Sequence, residues 1–110
     1  MDEISDWHRI ATLSDLHENE PLAATIGDDP IALHKIDGVV YAIGDLCTHD
    51  FAQLSAGFVD DGIIECPLHQ AAFDIRTGKC LSRPATADLP VYEVRIDGGT
   101  VYVRAKARTG

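Results

Sequence analysis

The chain lacks any apolar run longer than a few residues, so nothing in it reads as a membrane-crossing helix, which needs about 20. Residues 1–20 are acidic and polar and lack the basic-then-apolar order of an export signal, which makes the cytoplasm the expected compartment. Cysteine is scarce and odd in number, three among 110 residues. Without an export signal such a count argues against a disulfide framework and for a metal or redox role. Positive charge is scarce as well. Nine Lys and Arg face 18 Asp and Glu, a formal net charge of −9, which excludes nucleic acid as an expected partner. The imbalance is uneven: residues 1–30 hold eight acids and one base, 31–74 seven and one, and 75–110 three acids and seven bases. An acidic first two-thirds suits steering toward a basic protein partner, and equally an ordinary solvated surface. Internal repeats, low-complexity tracts and linkers are also missing, so one domain spanning 1–110 with a single core is expected.

Short β-rich stretches are what the sequence does contain: 31–36, 39–43, 58–59, 63–66, 72–75, 91–96 and 100–104. Asp37-Gly38 and Asp97-Gly98-Gly99, each set between apolar stretches, are hairpin signals, and Asp61-Gly62 and Thr77-Gly78 mark further turns. Alternation in 91–96 and 101–104 predicts strands with one face on the core. The class is therefore all-β. Helical periodicity is confined to 13–20, where a single turn with Ser14 as N-cap is the most that the pattern supports.

Two segments carry the chemistry, Asp45-Leu46-Cys47-Thr48-His49-Asp50 and Glu65-Cys66-Pro67-Leu68-His69-Gln70. Each follows a β-like stretch and presents one cysteine and one histidine, giving C-x-H and C-x-x-H with sixteen residues between His49 and Cys66. One thiolate and one imidazole per loop suit a two-iron cluster, with Cys47 and Cys66 on one iron and His49 and His69 on the other. Zinc is the competing reading, since two cysteines and two histidines also satisfy its tetrahedral shell. Zinc fingers, however, group like ligands with like and usually place the last pair on a helix, whereas Pro67 keeps the second segment non-helical.

With Cys47-Thr48-His49, Cys66-Pro67-Leu68-His69, Phe73-Asp74 and Thr77-Gly78 on view, the sequence resembles the Rieske ferredoxins of bacterial aromatic-ring-hydroxylating dioxygenases, from a strand at Trp7 to Val103. The resemblance implies a Rieske fold of three stacked antiparallel sheets whose tip holds one [2Fe–2S] cluster between two loops. A third, proline-containing loop at Arg83-Pro84-Ala85 would complete that tip. It further implies a monomeric electron carrier rather than an enzyme, taking electrons from a flavin-dependent reductase and giving them to a terminal Rieske oxygenase. The remaining readings are a small Rieske subunit bound tightly within another oxidoreductase, and a zinc-stabilised interaction module.

Departures from the respiratory Rieske pattern refine the expectation. Ala52 and Leu68 occupy the positions of its extra cysteines, so its bridging disulfide is excluded, and Ala71 and Phe73 replace its Ser and Tyr donors. With those hydrogen bonds missing, a potential near the low end of the range from roughly −150 to +300 mV is expected. Two neutral imidazoles leave the oxidised cluster uncharged, so an added electron meets less repulsion than in an all-cysteine cluster. Titration of the outer ring N–H groups of His49 and His69 is expected to lower the potential at alkaline pH. Asp50, Phe51, Gln70, Ala71 and Pro84 are placed around the same tip. Cys80, His8, His17 and His34 have no paired motif; Cys80 and His34 read as strand positions, and an Asp74–Arg76 pair is expected to steady the second loop.

Overall fold

The computed structural model describes residues 7–46, 53–67, 71–81 and 88–105. Nine strands follow one another: β1 (His8–Thr12), β2 (Leu22–Ile26), β3 (Asp29–Ile36), β4 (Val39–Gly44), β5 (Phe58–Asp60), β6 (Ile63–Glu65), β7 (Ala72–Asp74), β8 (Val91–Asp97) and β9 (Thr100–Ala105). All registered pairings between them are antiparallel. Among the described residues no helix is long and apolar enough to cross a membrane.

Turn chemistry sets the hairpins. Asp37 and Gly38 have φ of 52° and 80°, and Asp61 and Gly62 have 53° and 77°, the two-residue left-handed turns whose twist matches that of paired strands. The strands close tightly on either side, Ile36 opposite Val39 and Asp60 opposite Ile63. Glu18 grips the first turn from outside, its two carboxylate oxygens each accepting one backbone N–H, from Asp37 and Gly38, at 2.7 Å.

Hydrogen bonding defines two sheets, ordered β1-β9-β8-β4-β3-β2 and β5-β6-β7. The larger has a narrow seam: β4 and β8 are registered at Ala42 with Tyr92 and Ile43 with Val91, whereas β4 pairs along its whole length with Ile31–Ile36 of β3. The described strands thus form two sheets where the resemblance implies three, because two three-stranded halves are joined edge to edge through the β4–β8 seam. The cation–π contact of Arg104 over the Trp7 ring, 4.5 Å from its centroid, ties the start of β1 to β9.

Side-chain alternation along β3 and β4 builds two cores. Ile31, Leu33, Val40 and Ala42 join Val101 and Val103 in one. Ile36 and Ile43 point the other way and join Leu54, Ile64, Cys66 and Phe73 in the second. Because both faces of this hairpin are covered, its sequence is apolar almost throughout. The small sheet buries Ile64 and Phe73 and leaves Phe58, Asp60, Ile63 and Glu65 exposed.

Two local expectations are corrected. The single turn is a 3₁₀ helix at Leu13–Asp15 whose N-cap is Thr12 rather than Ser14. Asp15 Oδ2 accepts from the Thr12 backbone N–H at 3.2 Å and from its hydroxyl at 2.9 Å, and these bonds hold the Asp15 carboxyl below its ordinary pKa. β2 falls outside the stretches read as strands, because alanine at 23 and 24 weakens the β signal, although Leu22, Ala24 and Ile26 keep the half-buried alternation.

Candidate metal centre

Of the four sequence-predicted ligands, Cys66 is described, while Cys47, His49 and His69 lie outside the described residues, as do Asp50, Phe51, Ala52, Leu68, Gln70 and the third-loop segment Arg83-Pro84-Ala85. Among the described residues no group of three or more His, Cys, Asp and Glu side chains gathers as a metal site. What the structure defines is the footing of the three segments in which those residues fall.

The first segment leaves from β4 and returns at a 3₁₀ turn, Leu54–Ala56. Leu46 and Gln53 pair as a β-bridge across its ends, and the Leu54 N–H donates to the Asp45 carbonyl at 2.7 Å. Asp45 itself is 1% exposed, and its two carboxylate oxygens accept the Ser55 N–H and the Ser55 hydroxyl, both at 2.7 Å. Burial pushes the Asp45 carboxyl above its ordinary pKa, and the bonds from Ser55 act in the opposite direction. The second segment joins β6 to β7, closed by Glu65 opposite Ala72 and by the Cys66 N–H on the Ala71 carbonyl at 2.8 Å. The third leaves where Cys80 bridges Phe73, and it is closed by the Cys80 N–H on Asp88 Oδ1 at 2.9 Å and the Leu89 N–H on the Gly78 carbonyl at 2.7 Å.

These three footings share one core. Leu54, Cys66, Ala71, Phe73 and Leu89 belong to the same buried cluster, with Cys80 packed against it. Gly57 brings the first and second footings together, because a Cβ there would collide with the Glu65 carbonyl oxygen. Cys66 is fully buried in this core, its backbone N–H fixed on the Ala71 carbonyl. A thiolate ligand suits such a site, shielded from water and oxidation. The donor set of two cysteines and two histidines, with Cys66 so placed, fits a Rieske [2Fe–2S] cluster. Ala71 and Phe73 are both fully buried and bring no hydroxyl to this core.

The residues with weaker claims divide. Cys80 is half-buried in the wall of the core but stands outside the named strands, in an isolated bridge to Phe73. His34 is 2% exposed on β3, and its Nε2 has no hydrogen-bond partner among the described residues, so it is a buried strand residue without the satisfied ring that was expected. Desolvation lowers its pKa to about 4. Asp74 and Arg76 do meet, but through the Arg76 backbone N–H on Asp74 Oδ1 at 2.8 Å. The Arg76 guanidinium goes elsewhere, 3.6 Å from Asp37 and 5.9 Å from the Tyr41 ring centroid, linking the small sheet to the β3–β4 hairpin. Asp45 and Ser55 were not singled out by sequence. An aspartate ending an apolar strand reads as a turn residue, and nothing local reveals a serine ten positions away as its partner.

Comparison with known proteins decides the family. The model of the Rieske [2Fe–2S] domain matches residues 6–93. The chain belongs to the Rieske [2Fe–2S] family. Its cofactor is accordingly a Rieske-type [2Fe–2S] cluster. It is 43% identical over 100 residues to the anthranilate 1,2-dioxygenase ferredoxin subunit of Burkholderia cepacia, covering 91% of this chain and 93% of that protein. Among solved structures it is similar to the ferredoxin of carbazole 1,9a-dioxygenase from Nocardioides aromaticivorans IC177, with a TM-score of 0.86 and 35% identity over 91% of this chain and 98% of that one. A ferredoxin solved in complex with the reduced oxygenase of carbazole 1,9a-dioxygenase superposes equally well, with a TM-score of 0.86 and 35% identity over 96% and 98% of the two chains.

Proposed function

We propose that this chain is an electron-transfer ferredoxin of an aromatic-ring-hydroxylating dioxygenase system, a single Rieske domain over 1–110 whose cluster is held by Cys47, His49, Cys66 and His69. It accepts single electrons from a flavin-dependent reductase and passes them to the Rieske centre of a terminal oxygenase, acting as a cytoplasmic monomer. The observation that carries this reading is the convergence of three loop footings on one core that encloses Cys66. The near-complete coverage of relatives named as ferredoxin components supports the carrier role.

When bound, the cluster supplies a reversible one-electron couple. The protein's part is to hold it at one end, keep water from its cysteine side, and set its potential. Buried, hydroxyl-free positions 71 and 73 withhold two hydrogen bonds that would stabilise the reduced form, which supports a low potential suited to feeding an oxygenase. The net charge of −9 supports docking through basic partner surfaces, with rates that fall as salt rises.

A reconstituted chain of flavoprotein reductase, this protein and a Rieske oxygenase tests the proposal. Substrate hydroxylation is expected to require the protein and to saturate with it at substoichiometric amounts, as a shuttle does. Fixed-ratio co-purification with one large subunit would favour the tightly bound subunit instead. A colourless protein without labile sulfide would favour the zinc module.

A further inference from the structure

The Asp45 carboxylate is an expensive way to close a loop. It is 1% exposed, and its two oxygens accept the N–H and the hydroxyl of Ser55, with the Gln53 side chain as a further donor. Taking a carboxylate out of water opposes its charged form and costs several kcal/mol unless hydrogen bonds offset the loss. Closing a turn does not demand this. Glu18 performs the same task at the turn end of the same hairpin, two 2.7 Å bonds from neighbouring donors, while exposed.

What distinguishes Asp45 is the number of bonds it directs across one loop. Its carbonyl oxygen and both carboxylate oxygens all receive donors from residues 54 and 55, and its N–H is fixed on the Pro30 carbonyl at 3.1 Å. The residue is thereby locked to β3 on one side and to the far end of the loop on the other. Leu54, next to Ser55, is 1% exposed in the core that holds Cys66. The clamp therefore fixes the two ends of the first segment, residues 45 and 54–55, against the core that holds Cys66.

We infer that the buried Asp45–Ser55 clamp is a positioning device for the cluster, holding both ends of the first ligand loop in the spacing that two-loop ligation requires. This rests on the ligand assignment above. Preorganised ligand loops release metal slowly, and loss of the supporting contacts typically costs about 10–100-fold in metal affinity.

The test compares Ser55→Ala, Ser55→Thr, Asp45→Asn and Glu18→Ala in the full chain as purified. Iron release to a chelator, the electron-spin-resonance line shape of the reduced protein, and amide exchange at Leu54 and Ser55 are read together. Ser55→Ala is expected to release iron about tenfold faster, because it removes a hydrogen bond to a charged group, and to broaden the resonance. Ser55→Thr, which keeps the hydroxyl, restores both. Asp45→Asn stays near the parent in iron retention, since a carboxamide can accept from the Ser55 N–H and donate to its hydroxyl oxygen. Glu18→Ala lowers thermal stability but leaves iron release and line shape unchanged. Parental iron release and resonance in Ser55→Ala would overturn the inference, and so would iron loss in Glu18→Ala as fast as in Ser55→Ala, which would make the effect one of global stability. Failure of the ligand assignment is recognised separately. The parent would then lack Rieske spectra, while faster Leu54 and Ser55 amide exchange in Ser55→Ala would still report the clamp.

Discussion

The two ends of the β3–β4 hairpin use the same device in different surroundings. At the turn, the exposed Glu18 carboxylate holds Asp37 and Gly38, and at the other end the buried Asp45 carboxylate holds Ser55. Geometry alone does not separate them, since all four bonds are 2.7 Å. Solvent does. In water a carboxylate exchanges one set of partners for another at little net gain, whereas in the interior each donor it loses leaves an uncompensated charge. The turn end is thus expected to tolerate loss of its carboxylate contacts and the Asp45 end is not, although both close loops of one hairpin.

The largest break in this comparison is expected from a proposed ligand. Cys66→Ser is expected to abolish iron and labile sulfide and to loosen the second core, because cluster binding contributes to folding, while Cys80→Ser leaves both contents at the parental level; colorimetric iron and sulfide assays check this. Next come the two cores. Phe73→Ala and Leu33→Ala, each emptying a fully buried site, are expected to cost about 3–5 and 2–5 kcal/mol in urea unfolding, and of the two only Phe73→Ala also speeds iron release, since its core encloses Cys66.

Acid sharpens the contrast from another side. His34 lies on the β3 face shared with Ile36, and its folded pKa of about 4 stands below the ordinary 6.5 because burial disfavours the imidazolium. The unfolded chain therefore binds the proton first as pH falls. The stability this residue allows is complete above pH 6.5 and is lost progressively down to about pH 4, a total of about 3 kcal/mol. Urea midpoints across that window in the parent and in His34→Gln should converge as pH drops. The smallest effect belongs to Arg76. Its ion pair with Asp37 joins side chains 42% and 88% exposed, so Arg76→Ala is expected to change stability by no more than about 1 kcal/mol and to leave iron release untouched.

Sequence revealed most where one short-range rule decides the outcome. Asp37-Gly38 specified its turn and, with the apolar stretches on either side, the β3–β4 hairpin; of the donor set read from C-x-H and C-x-x-H, only Cys66 lies among the described residues. It revealed least where two choices were locally equal. Thr12 and Ser14 can both cap a turn, and Asp15 settles the matter by bonding Thr12. Arg76 has Asp74 two residues away, yet its guanidinium reaches Asp37 across the fold. The dependence of the first ligand loop on Asp45 and Ser55 is of this second kind, because burial, which gives the pair its weight, is a property of the assembled sheets.

In the proposed centre four side chains, Cys47, His49, Cys66 and His69, hold two irons and two sulfides. Iron, zinc and acid-labile sulfide counts on the purified protein, taken with the electron-spin-resonance spectrum of its reduced form, test it most directly. About two irons and two sulfides per chain with a Rieske signal, both lost in His69→Ala, are predicted. One zinc without sulfide, or a fully loaded and spectrally unchanged His69→Ala protein, would contradict it.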